Sequence, residues 1–372
     1  MPGLSKIQIR GFRSIEKLDL ELHPINVLIG PNGAGKSNFV SFFRMLNEMV
    51  EQRLQLFVQR SGRASALLYY GPKVTERIEA DLYFGRNGYE FKLVPTEDDR
   101  LVFEEERTYF LGRFEANPLL GRGHEETRLP EAYKRDPGGI PGYVFPNVKT
   151  WRVYHFHDTS SAAAVKQEHD LRDNAELRND AGNLAAFLYL LREQHSQNYE
   201  LIRAAIRRIF PRFDDFALRP NPLNPERIRL EWRERGSDYL FGPNQVSDGT
   251  LRFMCLAALL LQPKLPTTVL IDEPELGLHP SALVALAGLV RSAASRSQVI
   301  LTTQSVTFLN EFEAEDIVVV ERATEGDPEG HTAAERVPSV FRRIESTEHL
   351  AEWLDEYAVG ALWEMNVLGG RP

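Results

Sequence analysis

The octapeptide GPNGAGKS, Gly30 to Ser37, constrains this chain more than any other segment. It fills every fixed position of G-x-x-x-x-G-K-[S/T], a pattern whose glycines let consecutive backbone N–H groups close around phosphate oxygens. The flanks supply the context such a loop needs. Ile25 to Ile29 is a short apolar run ending at Gly30, and Phe39, Phe42, Phe43, Leu46, Met49 and Val50 recur behind it at helical spacing. The loop is therefore expected between a buried strand and a helix whose N-terminus adds its positive end to an anion site. Asn32, Gly33, Ala34, Gly35 and Asn38 would line the cradle and the helix start. Lys36 would reach the outer phosphates of ATP, and Ser37 would place its hydroxyl on bound Mg2+.

Magnesium held by one hydroxyl needs a second protein anchor. In TTVLIDEP, residues 267 to 274, an apolar strand delivers Asp272 and Glu273 at its carboxyl end. Adjacent carboxylates leaving a buried strand are costly without a task. Asp272 is expected to hold the metal through water and Glu273 to polarise an attacking water. A third element, VSDGTLRF at 246 to 253, places Ser247, Asp248 and Gly249 before the apolar helix Leu251 to Leu261. Ser247 reads as an N-cap, and the helix start is either a cap alone or a second anion-binding terminus.

The remainder predicts an α/β fold. Ile7 and Ile9, then Leu18, Leu20 and Leu22, alternate as in strands, and residues 77 to 112 read as antiparallel strands with a hairpin turn at Gly85 to Gly88. Residues 113 to 147 lose periodicity and gather Gly and Pro, which predicts a long surface insertion. WRVYHF (151–156) reads as a buried strand, and 183–192 and 199–209 as helices. Thr267–Ile271, a helix from Pro280, Gln298–Thr303 and Ile317–Val320 then alternate as in a mostly parallel sheet covered on both faces.

The joint set GPNGAGKS, VSDGTLRF, LIDEPELGLHP and QVILTTQS resembles the ABC-type ATPase core shared by RecF, SMC and OLD proteins, nearest to the compact bacterial "predicted ATPase" group of AAA family ATPases. The likeness covers roughly 4–50 and 245–321. It implies a P-loop NTPase with an ABC-type head: a core of 1–76 and 245–345, an antiparallel β lobe with surface insertion at 77–150, a mixed α/β insertion at 151–244 and a helical tail at 346–372. It also implies an ATP-dependent, head-to-tail homodimer in which Ser247, Asp248 and Gly249 bind the γ-phosphate held by the opposite protomer. His279 in GLHP would lie at that interface, and Arg13 in GFRSI beside the nucleotide. Gln304 stands in LTTQS where many relatives have histidine; it still offers an amide donor but no positive charge, so slow hydrolysis is expected. At the strand expected to lead to a γ-phosphate-sensing glutamine, the chain has His157 and Asp158.

Composition limits the partners. The chain has 372 residues and a net charge of -9, which excludes coating nucleic acid with the whole surface, so any DNA contact must be local. Arg203, Arg207, Arg208 and Arg212 are the candidate patch, in the insertion where the resemblance places DNA or protein partners; a solvated helix face is the plainer alternative. His155 and His157 share a strand face without a matching third ligand cluster, which favours a polar strand face over a metal site. The single cysteine, Cys255, sits in an apolar run, and neither a signal peptide nor a membrane span is evident, so a soluble, cytoplasmic protein is expected. No nuclease motif is visible, and an effector nuclease is expected to act in trans. A P-loop phosphotransferase would not need SDG or the Asp-Glu pair. A transporter ATPase would lack the 77–240 insertion. A regulatory module clamped by ATP is kept open by Gln304.

Overall fold

The computed structural model describes residues 3–112, 116–323, 336–345 and 348–371. Two six-stranded sheets organise it. One runs, in spatial order, Ser339–Arg343, Ile317–Arg322, Ile25–Ile29, Gln298–Thr302, Thr268–Asp272 and Arg152–Tyr154, and all its pairings are parallel except that of the first strand. The other is antiparallel and runs Ile15–Glu21, Lys6–Phe12, Ile78–Phe84, Asn87–Pro95, Leu101–Phe110 and Leu119–Gly121. The chain thus has the expected α/β class with an antiparallel β lobe.

Strands covered on both faces need apolar residues at successive positions, and Ile25–Ile29 is buried throughout. Since neighbouring side chains point to opposite faces, Val27, Ile29, Val269, Ile271, Val299 and Leu301 enter one core. Leu28, Leu270, Ile300, Val318 and Val320 enter the other. The first core also takes helices Leu184–Gln194, Ser196–Ile209, Asp248–Leu261 and Pro280–Ala294. The second takes helix Lys36–Val50 and the inner face of the antiparallel sheet. Phe39, Phe42, Phe43 and Leu46 of that helix are fully buried, and truncating one such phenylalanine to alanine costs about 3–5 kcal/mol. That packing fixes the helix start against the strand end, where the glycine loop lies.

Three boundaries differ from expectation. The cut at residue 76 runs through one sheet, because Lys6–Phe12 pairs with Ile78–Phe84. The segment 151–244 begins inside the parallel sheet, since Arg152–Tyr154 is its edge strand, and continues as helices and two small three-stranded sheets. The surface insertion read at 113–147 is corrected: residues 113–115 lie outside the described residues, but helices Leu129–Arg135 and Ile140–Thr150 send Leu129, Val144, Phe145 and Val148 into the second core. Prolines misled there. Pro130 and Pro141 occupy first-turn positions, where no N–H is needed, and Pro146 forgoes one bond within its helix.

At the tail, helices Glu348–Glu356 and Val359–Glu364 follow, while residues 346, 347 and 372 lie outside the described residues. Trp363 is fully buried, and its Nε1 donates to the Gly370 carbonyl at 2.6 Å. Among the described residues, no helix is long and apolar enough to cross a membrane.

Candidate active site

The loop between Ile25–Ile29 and Lys36–Val50 requires its glycines. Gly30 sits at φ +147° with an added Cβ only 1.9 Å from the Val320 carbonyl oxygen, and Gly35 at φ +126° with one 2.1 Å from Ser339 Oγ. Gly33, at φ +78°, faces open space. No side chain caps the following helix, so its first-turn N–H groups are available to an anion. Lys36 Nζ donates to the carbonyls of Gly30 at 2.5 Å and Pro31 at 3.1 Å. Burial pulls the Lys36 ammonium below the usual lysine value, against the raising pull of Glu273, Asp272 and Glu275. Ser37 is exposed and Ala34 buried.

The two acids arrive as the apolar strand ends. Asp272 Oδ1 accepts from Thr302 Oγ1 at 2.6 Å, and the Asp272 carbonyl faces His157 Nε2 at 2.8 Å. Glu273 stands at φ +43°, a sparsely populated conformation for a residue with a side chain. Its N–H is nevertheless satisfied, donating to Thr302 Oγ1 at 3.0 Å. Gln304 then joins the halves of the site: its Nε2 donates to Asn32 Oδ1 at 2.9 Å and to Glu273 Oε1 at 2.8 Å.

Sequence reasoning missed several supports. Glu275 accepts from the Gln304 N–H at 2.8 Å and Thr303 Oγ1 at 2.7 Å, and burial raises its carboxyl above the usual range. Thr302 orients both acids, and a third acid in DEPE was the available signal for Glu275. Ser14 accepts from Asn38 Nδ2 and from Ser339 Oγ, each at 2.7 Å, so two distant segments brace the helix start. Arg13 occupies the hairpin turn at φ +50°, with its Nε buried and unpartnered. Burial, and then Arg44, lower its pKa. A cleft of about 460 Å³ opens here, bordered by Arg13, Ser14, Asn38, Tyr70 and Arg322. The glycine cradle, the orphaned Arg13 Nε and the hard oxygens of Ser37 and Asp272 fit a triphosphate with Mg2+.

Other candidates lie apart from the loop. Ser247 is the N-cap of helix Asp248–Leu261, accepting from the Thr250 N–H at 3.2 Å. Asp248 is 3.8 Å from Lys166, and an added Cβ on Gly249 would lie 2.1 Å from the Gly277 carbonyl oxygen. His279 caps helix Pro280–Ala294, its Nδ1 3.0 Å from Ser281 Oγ. Among the described residues, no hydrogen bond or ion pair joins Ser247, Asp248, Gly249 or His279 to the glycine loop. Arg252, from the same VSDGTLRF segment, ties it inward by donating to the carbonyls of Phe156 at 3.0 Å, His157 at 2.8 Å and Leu276 at 2.6 Å. Asp158 accepts from the Ser160 N–H at 3.0 Å and points away to solvent. Of the four arginines read as a DNA patch, Arg203 is paired with Asp215 at 3.1 Å and Arg207 with Asp214 at 2.9 Å. Arg208 and Arg212 have no ion pair among the described residues.

Residues 3–107 match the family model "AAA ATPase domain", and residues 144–310 match "AAA domain, putative AbiEii toxin, Type IV TA system". The Old nuclease of Escherichia phage P2 is 23% identical over 94% of this chain and 64% of its own length. The chromosome partition protein Smc of Methanocaldococcus jannaschii is 32% identical over 25% of this chain and 8% of its own length. The chain resembles ATPases of the SMC/OLD-like type. It spans 64% of the length of the Old nuclease. Among solved structures, an SmcHead bound to the C-winged helix domain of ScpA superposes with a TM-score of 0.57 at 17% identity, covering 92% of this chain and 99% of that one. An Smc head domain with an extended coiled coil, bound to the C-terminal domain of ScpA derived from Pyrococcus furiosus, gives 0.53 at 16% identity over 96% and 100%. These likenesses show that the chain has the head-domain fold.

Proposed function

We propose that this chain binds ATP with Mg2+ on the loop Gly30–Ser37 and hydrolyses it to ADP and phosphate, within a head-to-tail dimer that controls a DNA- or partner-associated activity in DNA repair or anti-phage defence. The observation that carries the reading is the Asn32–Gln304–Glu273 bridge, which holds the expected general base against the loop. Lys36, Arg13 and the loop N–H groups hold the phosphates. Ser37 and Asp272 would hold Mg2+, which when bound would supply charge neutralisation for the phosphates. Glu273 orients and deprotonates the water, and Gln304 donates toward the γ-phosphate.

The separation of Ser247–Gly249 from the loop supports a role for SDG on the partner's nucleotide, with His279 beside the contact. An exposed apolar pair next to it, Leu276 and Val284, is consistent with a surface that becomes covered. A clamp in which ATP mainly dimerises the chain is a second reading, favoured by the neutral Gln304 already bonded to Glu273. DNA would then be met through Arg208 and Arg212 together with Arg203 and Arg207, or an effector such as a nuclease would act in trans; the cytoplasm is the proposed compartment.

The test is ATP turnover and solution molar mass for wild type and Glu273→Gln, with and without DNA. Turnover is expected to fall about 100-fold or more in the variant, the scale of a lost general base, while an ATP-dependent dimer accumulates. A variant that stays monomeric with saturating ATP overturns the dimer.

A further inference from the structure

On the outer side of helix Lys36–Val50, a cavity of about 240 Å³ is lined by Arg44, Phe57, Arg60, Arg152 and His155. Its charge is unbalanced. Glu48 is the lining carboxylate, and both its oxygens are taken by Arg53, at 2.7 and 3.2 Å. Arg152 reaches Glu176 at 3.4 Å, but that side chain is 80% exposed, so the pair screens little. Arg44 and Arg60 are exposed, and neither has an ion-pair partner among the described residues. His155 Nδ1 is buried without a hydrogen-bond partner. Burial, then the charge of Arg44, lowers the His155 pKa, which favours the neutral ring.

Three arginines line this cavity; Arg152 also donates to the carbonyls of Lys149 at 2.7 Å and Trp151 at 2.9 Å, and guanidiniums are a planar, multidentate fit for phosphate oxygens. The lining also includes the apolar Leu56, Phe57 and Val153, of which Phe57 offers a ring to a second moiety. The geometry points to a second ligand site, distinct from the glycine loop, that takes a small phosphate ester of mononucleotide size: phosphate on Arg44, Arg60 and Arg152, and its ring or apolar portion against Phe57. Arg44 shares its helix with Lys36 and Ser37, and two residues after His155, His157 faces the Asp272 carbonyl. The cavity thus shares chain segments with both halves of the candidate nucleotide site, while the binding itself does not depend on hydrolysis there.

The experiment is equilibrium dialysis of radiolabelled AMP, and separately of inorganic phosphate, against the full chain carrying Lys36→Ala, alone and combined with Arg44→Gln and Arg60→Gln. The expected result is saturable AMP binding to the Lys36→Ala protein, weakened at least tenfold by the two arginine changes and several-fold tighter than phosphate. Absence of AMP binding to the Lys36→Ala protein, or equal binding after the arginine changes, overturns the site. Phosphate held as tightly as AMP overturns the ester assignment. Thermal melting reports whether the Lys36→Ala protein is folded. If it is not, the same arginine pair in the wild-type background is measured instead, where loss of one AMP site is expected and an unchanged stoichiometry and affinity overturns the proposal.

Discussion

Gln304 Nε2 lies 2.8 Å from Glu273 Oε1 and donates to it, so the residue expected at the γ-phosphate is bonded to the expected general base. The same amide reaches Asn32 in the glycine loop. An amide donor bound to a carboxylate favours its ionised form but adds no positive charge at the transition state. Gln304→Ala should therefore lower turnover on the order of tenfold with a smaller change in ATP affinity, because Lys36, Arg13 and the loop N–H groups remain to hold the nucleotide while Glu273 loses its orienting donor. Gln304→His is expected to hydrolyse faster than wild type. Steady-state kinetics on the two variants checks both, and a histidine variant no faster than its parent removes the argument for a slow, clamp-like cycle.

Glu275 supplies a pH signature. Burial, the largest influence, raises its carboxyl above the usual glutamate value, while the Gln304 N–H and the Thr303 hydroxyl pull the other way. A carboxyl raised in the folded state stabilises the fold through its protonated form. That contribution is complete below the unfolded value and is lost as pH rises through the folded one. Glu275→Gln keeps a carbonyl acceptor at every pH without a buried charge. The variant should melt above wild type at neutral pH, with the gap closing as pH falls below about 4. A gap constant from low to neutral pH in calorimetric melts would show that the charge is not what costs stability.

Arg252 holds helix Asp248–Leu261 by a different device. One guanidinium donates to carbonyls from two separate segments, at Phe156 and His157 and at Leu276. Arg252→Ala should destabilise the fold by about 2 kcal/mol, the scale of hydrogen bonds from a charged donor, and should lower turnover by loosening the segment that carries His157. Arg252→Lys is expected to recover little, because a single ammonium does not reproduce a planar fork. Denaturant melts and turnover on both variants decide it, and full recovery by lysine would reduce Arg252 to a simple charge.

The nucleotide loop and its two acids were legible because their chemistry demands fixed residues at short spacing, and the strand and helix around Gly30–Ser37 announce themselves by apolar period. The braces were not. Thr302 looks like any strand threonine, and Ser14 with Ser339 meet across 325 positions of chain, so no local pattern marks them. The misread stretch at 113–147 failed for a related reason: Pro130 and Pro141 resemble breakers in a window of sequence, yet at a first helical turn they are well placed. Gln304, by contrast, was identified by its motif, while its bond to Glu273 needed the fold.

Gly249 and Gly277 show how the SDG turn is seated. A Cβ on Gly249 would come 2.1 Å from the Gly277 carbonyl oxygen, and a backbone oxygen has no rotamer by which to withdraw. Gly249→Ala must push SDG away from GLHP, a misfit costing about 1–3 kcal/mol. Ser247 and Asp248 are exposed, so the displacement moves the surface offered to a partner while leaving the chain's own Lys36 and Asp272 in place. The expected outcome is ATP binding close to wild type, a lower melting temperature and loss of the ATP-dependent dimer, measured by nucleotide titration, calorimetry and light scattering. If dimerisation survives in a protein whose melting temperature has fallen, the turn at Gly249 is a structural contact only and the partner's nucleotide is engaged elsewhere.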